Sequence, residues 1–251
     1  MKTTRTLHLA LLAIASLTSS ASAQLISDNF NDGTIDTGIW QTVTPFGDSS
    51  IAESGGNAVF TNKGWLLSAA SLPTSLDITG RFKFTGSVHD QFKVATRASG
   101  TFAQNPFGEV DLGIGFEFWM MTDGGSPINN IKIVRNSNPN PTPILAQGTF
   151  TVTPNTYYDF RLTDDGTNIA LYISDLATPF LTATDSSVLG SKLAIYNREG
   201  IGGGSSISAG SVARLDFVQV VPEPSSALLL LSGVAFCLRR RSLRTHDRNA
   251  S

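Results

Sequence analysis

Acidic and aromatic side chains recur along one stretch of the sequence, GEVDLGIGFEFW, at residues 108–119. A β-strand places every second side chain on the same face, so Glu109, Asp111, Glu117 and Trp119 are predicted to share one polar face. Two carboxylic acids about 5–5.5 Å apart can cleave a glycosidic bond with retention, one as acid and base and the other as nucleophile. An indole ring beside them can stack on a sugar. The stretch therefore suggests chemistry on a carbohydrate, or binding of one.

The spacing of these carboxylates argues against a complete hydrolytic pair. Glu117 is eight residues beyond Glu109, which corresponds to about 26 Å along a strand at about 3.3 Å per residue. Even residues i and i+4 are about 13 Å apart, unless their side chains converge or the strand bulges. Alternatively, the acids form only the solvated face of a sheet. On a glycan-binding face, Gly113 and Gly115 would leave a shallow trough beside Trp119. Alternatively, Trp119 packs under a loop and the glycines only ease the curvature of the sheet.

The elements that must position these side chains are short β-strands. Along LDITGRFKF, apolar residues alternate with polar ones, and the predicted buried face consists of Leu76, Ile78, Gly80, Phe82 and Phe84. Further strands are predicted at EVDLGIGFEFWM, YYDFRLTDD, NIALYISD, KLAIYN and VARLDFVQV, and Asp164-Asp165-Gly166 predicts a hairpin turn. This period-two pattern is typical of half-buried antiparallel strands. With no long amphipathic helix between residues 24 and 221, the predicted fold class is all-β, an antiparallel two-sheet sandwich.

Three segments of the chain form a further pattern: an opening D-x-F-N/D stretch, a tryptophan about ten residues later and a Tyr-Leu-Asp-Gly-Leu-Tyr hairpin. Their residues are Asp28, Phe30, Asn31, Asp32, Trp40, Tyr158, Leu162, Asp165, Gly166, Leu171 and Tyr172. This pattern resembles the concanavalin A-like, laminin-G-like jelly roll. The resemblance spans most of residues 25–220 and implies that the first and last strands of the domain pair.

The jelly-roll resemblance implies two carbohydrate functions. Members that cut β-glucans and galactans carry Glu-x-Asp-x-(x)-Glu on one strand, whereas this chain has Gly113 or Ile114 at the last place. A glycoside hydrolase with a degenerate catalytic strand is therefore the least favoured alternative, and no catalytic residue is predicted. Concave faces of the superfamily often bind glycans. The predicted glycan-binding residues are Glu109, Asp111, Glu117 and Trp119, with Tyr157, Arg161 and Tyr172 as further contacts from nearby strands.

The first 23 residues are typical of a secretory signal peptide. Lys2 and Arg5 precede an apolar stretch at residues 7–17, and Ala21 and Ala23 form an A-x-A cleavage site. This predicts export through the Sec machinery and cleavage by signal peptidase before Gln24.

The segment VPEPSSALLLLSGVAFCLRRR, residues 221–241, ends in a short apolar run and a cluster of arginines. As a helix, the uncharged residues 225–238 would be about 21 Å long, which is short for a bilayer core of about 30 Å. The segment resembles the PEP-CTERM sorting signal of Gram-negative bacteria, through the apolar run together with Pro222, Glu223, Pro224, Arg239, Arg240 and Arg241. The resemblance implies transient inner-membrane retention by a short C-terminal transmembrane helix, recognition by an exosortase-type membrane protease, and a final place at the cell surface or in extracellular matrix. A marginal permanent anchor is the alternative.

Composition narrows the partners of the exported domain. Seven of the eighteen Lys and Arg and two of the twenty Asp and Glu lie in the two terminal signals, so residues 24–221 keep eleven positive and eighteen negative side chains, a net charge of −7. An acidic domain without a basic patch is a poor partner for nucleic acid. Cys237, the single cysteine, lies in the apolar run, so the domain has no disulfide, and His89 is its single histidine. Zinc is therefore disfavoured.

Calcium is the one cofactor that the sequence suggests. Asp28 and Asp32 in the opening segment and Asp216 in the closing strand could supply oxygen ligands if those strands pair. Laminin-G-like relatives often hold structural calcium, which the resemblance extends to this chain as an expectation. The favoured alternative is that these carboxylates cap turns, which requires no ion.

These features predict an exported, exosortase-sorted protein of the cell surface or extracellular matrix, with a non-catalytic β-sandwich module and no enzymatic activity. The alternative is a carbohydrate-binding module whose partner is a surface or matrix polysaccharide. The predicted boundaries are a signal peptide at 1–23, the β-sandwich at 24–220, the sorting signal at 221–241 and a polar tail at 242–251.

Overall fold

The structure is a computed structural model that describes residues 24–44, 49–85, 89–105, 108–111, 113–123, 126–136, 143–199 and 212–223. At 89–90, 102–105, 108–111, 119–123, 126–129 and 198–199 it describes the backbone alone. The predicted signal peptide and the apolar run with its arginines lie outside the described residues. Within the described ranges, no helix is long and apolar enough to cross a membrane.

All regular elements of the described residues are β-strands, and they lie within one unit, Gln24–Pro222. In chain order they are β1 (Ile26–Asp28), β2 (Trp40–Val43), β3 (Ser50–Glu53), β4 (Ala58–Thr61), β5 (Gly64–Ser68), β6 (Leu76–Phe84), β7 (His89–Ala98), β8 (Phe102–Asn105), β9 (Gly108–Asp111), β10 (Gly113–Asp123), β11 (Ser126–Asn136), β12 (Ile144–Thr149), β13 (Tyr158–Asp164), β14 (Asn168–Ile173), β15 (Leu181–Thr184), β16 (Lys192–Glu199) and β17 (Val212–Pro222).

Two antiparallel sheets form the layers of a sandwich, so the predicted fold class is confirmed. One sheet has eight strands in the order β15-β14-β13-β6-β17-β4-β3, with β1 also paired to β17. The other has seven strands in the order β12-β11-β10-β7-β16-β5-β2, and β8 and β9 form a separate two-stranded sheet. Sequential neighbours such as β6 and β7 lie in different sheets, which is how the chain encloses a core between the two layers.

The core is built by the alternation that the sequence shows. In β6, Leu76, Ile78, Gly80, Phe82 and Phe84 are buried while the intervening residues are partly exposed, as predicted. Aromatic rings from both sheets meet at the centre. The ring of Phe82 stacks on that of Phe92 in β7, with 4.5 Å between ring centroids. Apolar burial of this extent is the main force that holds the two layers together.

The first and last strands pair, as the jelly-roll resemblance implies. Ile26 of β1 lies opposite Val220 of β17, and the Leu25 amide donates to the Val220 carbonyl oxygen at 2.8 Å. The predicted hairpin also forms between β13 and β14. Gly166, in the turn of this hairpin, has a φ of 92°, a conformation that favours glycine. Both long-range and local predictions about strand pairing are thus confirmed.

Candidate functional site

The structure does not bring the four predicted glycan-binding residues onto one sheet. Glu109 and Asp111 lie in β9, where they are opposite Gln104 and Phe102 of β8. Glu117 and Trp119 lie in β10, within the seven-stranded sheet. The predicted continuous strand EVDLGIGFEFWM is therefore two strands, and the prediction of one shared polar face is wrong. The physical reason is that β9 takes β8 as its hydrogen-bonding partner, whereas β10 pairs with β7 and β11.

Glu117 belongs to the outer face of the seven-stranded sheet, by which we mean the face turned away from the sandwich core. In β10, Ile114, Phe116 and Phe118 point into the core, so the alternate positions face outward. Glu117 lies opposite Lys93 of β7 on one side and Lys132 of β11 on the other. The sheet thus flanks this carboxylate with two cations.

A cluster of polar and aromatic side chains covers the middle of this outer face. The Lys93 ammonium nitrogen is 3.7 Å from Glu117 Oε2 and 5.6 Å from the centroid of the Tyr196 ring. The Tyr196 and Trp65 rings are 5.9 Å apart between centroids. Asn136 Nδ2 donates to the Tyr196 hydroxyl at 2.9 Å. We call these residues, with Gln91, the outer-face cluster. Sequence alternation located Glu117 but missed its partners, because they come from four other strands.

The outer-face cluster is buried, although it faces away from the core. Trp65, Lys93 and Tyr196 are fully buried, and Glu117 is only 7% exposed. Gln91 is also buried, and its Nε2 makes no hydrogen bond with a described residue. Gln91 lies opposite Trp119 in the sheet, and Trp119 in turn lies opposite Asn130. Burying an amide donor away from water lowers stability unless the donor finds a hydrogen-bond acceptor.

Gly115 does not open a trough beside Trp119. A Cβ atom at this position would lie 2.6 Å from Ala95 Cα and also too close to the Val94 carbonyl. Gly115 therefore permits the close approach of the β7 and β10 backbones, and the idea of a shallow trough is wrong here. A larger side chain at Gly113 would likewise meet backbone of β7, with Ala98 Cα at 3.2 Å.

Tyr157, Arg161 and Tyr172 belong to the other layer of the sandwich. Arg161 and Tyr172 lie opposite one another in β13 and β14, strands of the eight-stranded sheet. The Arg161 guanidinium is 5.1 Å from the Tyr172 ring centroid and donates to both carboxylate oxygens of Asp77, at 2.9 and 2.7 Å. The expectation that these residues extend the site around Glu117 is therefore wrong. Alternation along a strand shows that a side chain faces away from the core, but it does not show to which of the two sheets the strand belongs.

The outer face offers one carboxylate for chemistry. Among the outer-face side chains that the structure describes on the seven-stranded sheet, Glu117 is the only carboxylic acid. Retaining hydrolysis requires a second carboxyl about 5–5.5 Å away, and inverting hydrolysis one about 6.5–9.5 Å away. The described cluster instead presents an ammonium, an amide, a phenol and an indole. Such groups can bind hydroxyls and sugar rings.

The predicted calcium ligands form turns and hydrogen bonds instead of a shared site. Asp28 accepts from the Phe30 amide at 2.9 Å and from Trp40 Nε1 at 2.8 Å. Asp216 is 3.6 Å from Arg81, with which it forms an ion pair. Among the described residues, no group of three or more acidic, histidine or cysteine side chains is placed to hold a metal ion. As placed here these side chains do not fit calcium, and calcium binding stays a prediction.

The carboxylates of this region also influence one another electrostatically. Asp32 accepts from the Thr34 amide at 3.1 Å, and Glu53 accepts from the Gly33 amide at 2.7 Å. Burial, together with the nearby carboxylates of Asp32 and Asp28, raises the pKa of Glu53 above its ordinary value. Asp28 and Asp216 also line a surface cavity of about 620 Å³. Asp32 does not line that cavity, so the three predicted ligands do not converge there.

No protein-family model matches the chain, and the comparison with curated proteins finds no match. The fold, however, is similar to solved β-glucanase structures. A β-glucanase of Bacillus licheniformis is 16% identical, with a TM-score of 0.56, and the match covers 79% of this chain and 98% of that one. A glycosyl hydrolase family 16 protein of Mycobacterium smegmatis is 15% identical, with a TM-score of 0.53, covering 79% and 100%.

A third solved structure is described as a pseudo β-1,3-glucanase of Mycobacterium tuberculosis. It is 14% identical, with a TM-score of 0.54, and the match covers 80% of this chain and 99% of that chain. Hydrolases and a pseudo-hydrolase thus share this architecture, which leaves catalytic activity open. The prediction of a surface protein whose sandwich is only a non-catalytic module is wrong, because the similar structures favour the carbohydrate functions that the sequence offered as alternatives. The chain has the jelly-roll fold of the family 16 β-glucanases.

Proposed function

We propose that the outer face of the seven-stranded sheet binds a neutral polysaccharide of the β-glucan class. The fold supports this proposal, since the similar structures include β-glucanases. The chemistry of the face supports it as well. Carbohydrate sites combine aromatic rings, which stack on sugar rings, with a few polar groups that bind hydroxyls. The outer-face cluster and Trp119 supply both kinds of group.

The observation that carries the proposal is the place of Gln91 beside Trp119. Gln91 Nε2 is a buried amide donor without a hydrogen bond to any described residue, and the backbone register sets it opposite Trp119. A sugar hydroxyl would satisfy this donor, and tryptophan, the residue opposite it in the backbone register, is a residue type that stacks on sugar rings. Trp65, Lys93 and Tyr196 are fully buried, whereas Asn130 is only partly buried, so we assign the sugar contacts to the end of the face where Asn130, Trp119 and Gln91 are neighbours in the backbone register.

We expect Trp119→Ala to weaken retention on insoluble β-1,3-glucan by at least about tenfold, which corresponds to about 1.4 kcal/mol of binding free energy. The measurement is a depletion isotherm of the purified protein. Tyr172→Ala is the matched control, since it removes an aromatic ring from the other sheet and should leave retention unchanged. Equal retention of wild type and Trp119→Ala would remove the proposal, and Gln91→Ala should give a smaller loss than Trp119→Ala.

Hydrolysis of the same polysaccharide is the second candidate, which the hydrolases among the similar structures favour. Glu117 is the carboxylic acid that the described side chains of this face offer as one of the two groups that hydrolysis requires. The assay follows reducing ends from β-1,3-glucan and mixed-linkage glucan over long incubations. Release that Glu117→Gln abolishes would establish hydrolysis in place of simple binding.

We further propose that the chain is exported and sorted by its two terminal signals, on the strength of the sequence features at residues 1–23 and 221–241. Export would bring the domain to an extracellular polysaccharide. Mass spectrometry of the C-terminal peptide, from membrane and released fractions of native cells, tests this. A released chain that ends between Pro222 and Ser225 is expected. A chain that ends at Ser251 and stays in the membrane would mean that the apolar run is an anchor.

A further inference from the structure

We propose a second binding site, for a uronate-bearing acidic polysaccharide, on the outer face of the eight-stranded sheet. Its residues are Lys83 of β6, Arg214 of β17 and Tyr157, which immediately precedes β13. This face is the opposite side of the sandwich from Glu117 and Trp119, so the proposal is independent of the neutral-polysaccharide site. The ligand class follows from a cation pair placed beside a fixed aromatic ring.

The two cations lie directly opposite one another in neighbouring strands. Arg214 is the register partner of Lys83. Both alternate with core residues, Phe82 and Phe84 beside Lys83 and Ala213 and Leu215 beside Arg214, so both side chains face outward. Directly opposed side chains in an antiparallel pair have Cβ atoms about 4.5–5.5 Å apart, and like charges there destabilise the sheet. An anion bound between them would relieve that repulsion.

The other two arginines on this face have carboxylate partners within the domain. Arg81 Nε donates to Asp159 Oδ1 at 2.7 Å, and Arg81 Nη1 is 3.6 Å from Asp216. Arg161 is held by Asp77. By contrast, Lys83 and Arg214 form no ion pair with a described residue. Among the described residues of this face, the other cations are thus neutralised by carboxylates, in a domain whose residues 24–221 carry a net charge of −7.

Tyr157 adds a preorganised ring to the pair. Its hydroxyl donates to Asn57 Oδ1 at 2.7 Å, and Asn57 Nδ2 donates in turn to the Gly55 carbonyl at 2.8 Å. Asn57 is buried, whereas Tyr157 is 37% exposed. Lys83 Nζ lies 4.3 Å from the ring centroid. The tyrosine thus presents a ring of fixed orientation within reach of the cation pair.

These features match the two parts of a uronic acid. The carboxylate of the sugar can accept hydrogen bonds from Arg214 and Lys83, which are charge-assisted and therefore strong. The C–H face of the pyranose ring can pack on the exposed part of Tyr157. An acidic domain repels polyanions at long range, so binding of one would report a local site and not a general attraction.

The test is calorimetric titration of the purified protein with oligomers of polygalacturonate at about 0.1 M ionic strength, where the Debye length is about 10 Å. We expect Lys83→Gln/Arg214→Gln to weaken binding by at least about tenfold, because both charge-assisted contacts are lost. Tyr157→Ala should also weaken it, whereas Tyr157→Phe keeps the ring and should lose less. Fully methyl-esterified oligomers, which lack the charge, should bind at least about tenfold more weakly than the free acid.

Arg161→Gln is the matched control variant, since it removes one arginine from the same face but away from Tyr157. Its affinity for the oligomers should stay within about twofold of wild type, because exposed charges beyond a Debye length of about 10 Å are largely screened. Equal losses for Arg161→Gln and Arg214→Gln would mean that only overall charge matters and would overturn the site, as would unchanged binding of the double variant. Trp119→Ala should bind the acidic oligomers normally, which separates this site from the neutral-polysaccharide site.

Discussion

Replacing Asp164 with alanine is expected to lower the free energy of unfolding by about 3–5 kcal/mol, because it leaves a buried guanidinium without its counter-ion. Asp164 is fully buried, and Arg97 is 2% exposed. Arg97 donates from Nε to Asp164 Oδ2 at 2.9 Å and from Nη2 to Oδ1 at 3.0 Å. Typical domains have a total stability of about 5–15 kcal/mol, so such a loss would remove a large share of it.

The pair matters because it joins the two layers of the sandwich. Arg97 is in β7 of the seven-stranded sheet, and Asp164 ends β13 of the eight-stranded sheet. Thr96 of β7 also donates to Asp164, at 2.5 Å. Arg97 Nη1 donates to the carbonyl oxygens of Asp185 and Ser187, both at 2.9 Å, in the segment that follows β15. One buried ion pair therefore organises the ends of several strands.

Denaturant unfolding of the purified protein measures this effect. Asp159→Ala is the matched control, since its ion pair with Arg81 is 2.7 Å long but about 40% exposed on both sides (41% and 38%). Exposed pairs contribute about 0–1 kcal/mol, so this variant should stay close to wild type. Equal denaturation midpoints for the two variants would show that the buried Arg97–Asp164 pair contributes no more to stability than the exposed Arg81–Asp159 pair. An apolar replacement of both partners, Arg97→Met with Asp164→Leu, should cost less than the sum of the single changes.

Substituting alanine for Gly115 is expected to cost at least about 1–3 kcal/mol, the usual range for an overpacked site. The added Cβ would lie 2.6 Å from Ala95 Cα and would press on the Val94 carbonyl. These are backbone atoms of β7, so they can move only if the β7–β10 ladder shifts. Because that ladder also places Glu117 opposite Lys93 and Trp119 opposite Gln91, the variant should lose polysaccharide retention together with stability.

Gly148→Ala is the comparison for this prediction. A Cβ there would lie 3.0 Å from Phe180 Cε1, a side-chain atom of a residue that is 39% exposed and can move aside. Replacing glycine in a strand otherwise tends to stabilise, by about 0.5–1 kcal/mol. Thermal melts of the two variants should therefore diverge. A Gly115→Ala protein that melts at or above the wild-type temperature would show that the β7 and β10 backbones are not in the close contact described.

Several parts of the fold could be predicted because they depend on local patterns. The alternation in residues 76–84 predicts the buried and exposed faces of β6 residue by residue. The Asp164-Asp165-Gly166 turn predicts the β13–β14 hairpin, and the Asp165 carboxylate indeed accepts from the Thr167 and Asn168 amides at 2.8 and 2.7 Å. These features arise between near neighbours in the chain, so a short window of sequence contains the whole cause.

Other features depended on partners that no local window contains. Alternation carries through EVDLGIGFEFWM, yet the chain changes sheets between Asp111 and Gly113 because β9 pairs with β8. The same pattern marks Tyr172 and Glu117 as outward-facing, but it does not tell that they lie on opposite sides of the sandwich. Period two specifies a face of a strand, and the identity of the neighbouring strand is decided by tertiary hydrogen bonding.

The sequence by itself determined an all-β sandwich, and its resemblance to the jelly roll implied that the first and last strands pair. The proposal of export also depends on the sequence alone. Only the tertiary structure decided which charges meet. It buried Arg97 against Asp164, 67 residues away along the chain, and set Lys93 against Glu117. It also left Lys83 facing Arg214. Charge pairing depends on distances of a few ångströms between atoms, and such distances between strands far apart in sequence exist only once both sheets have formed.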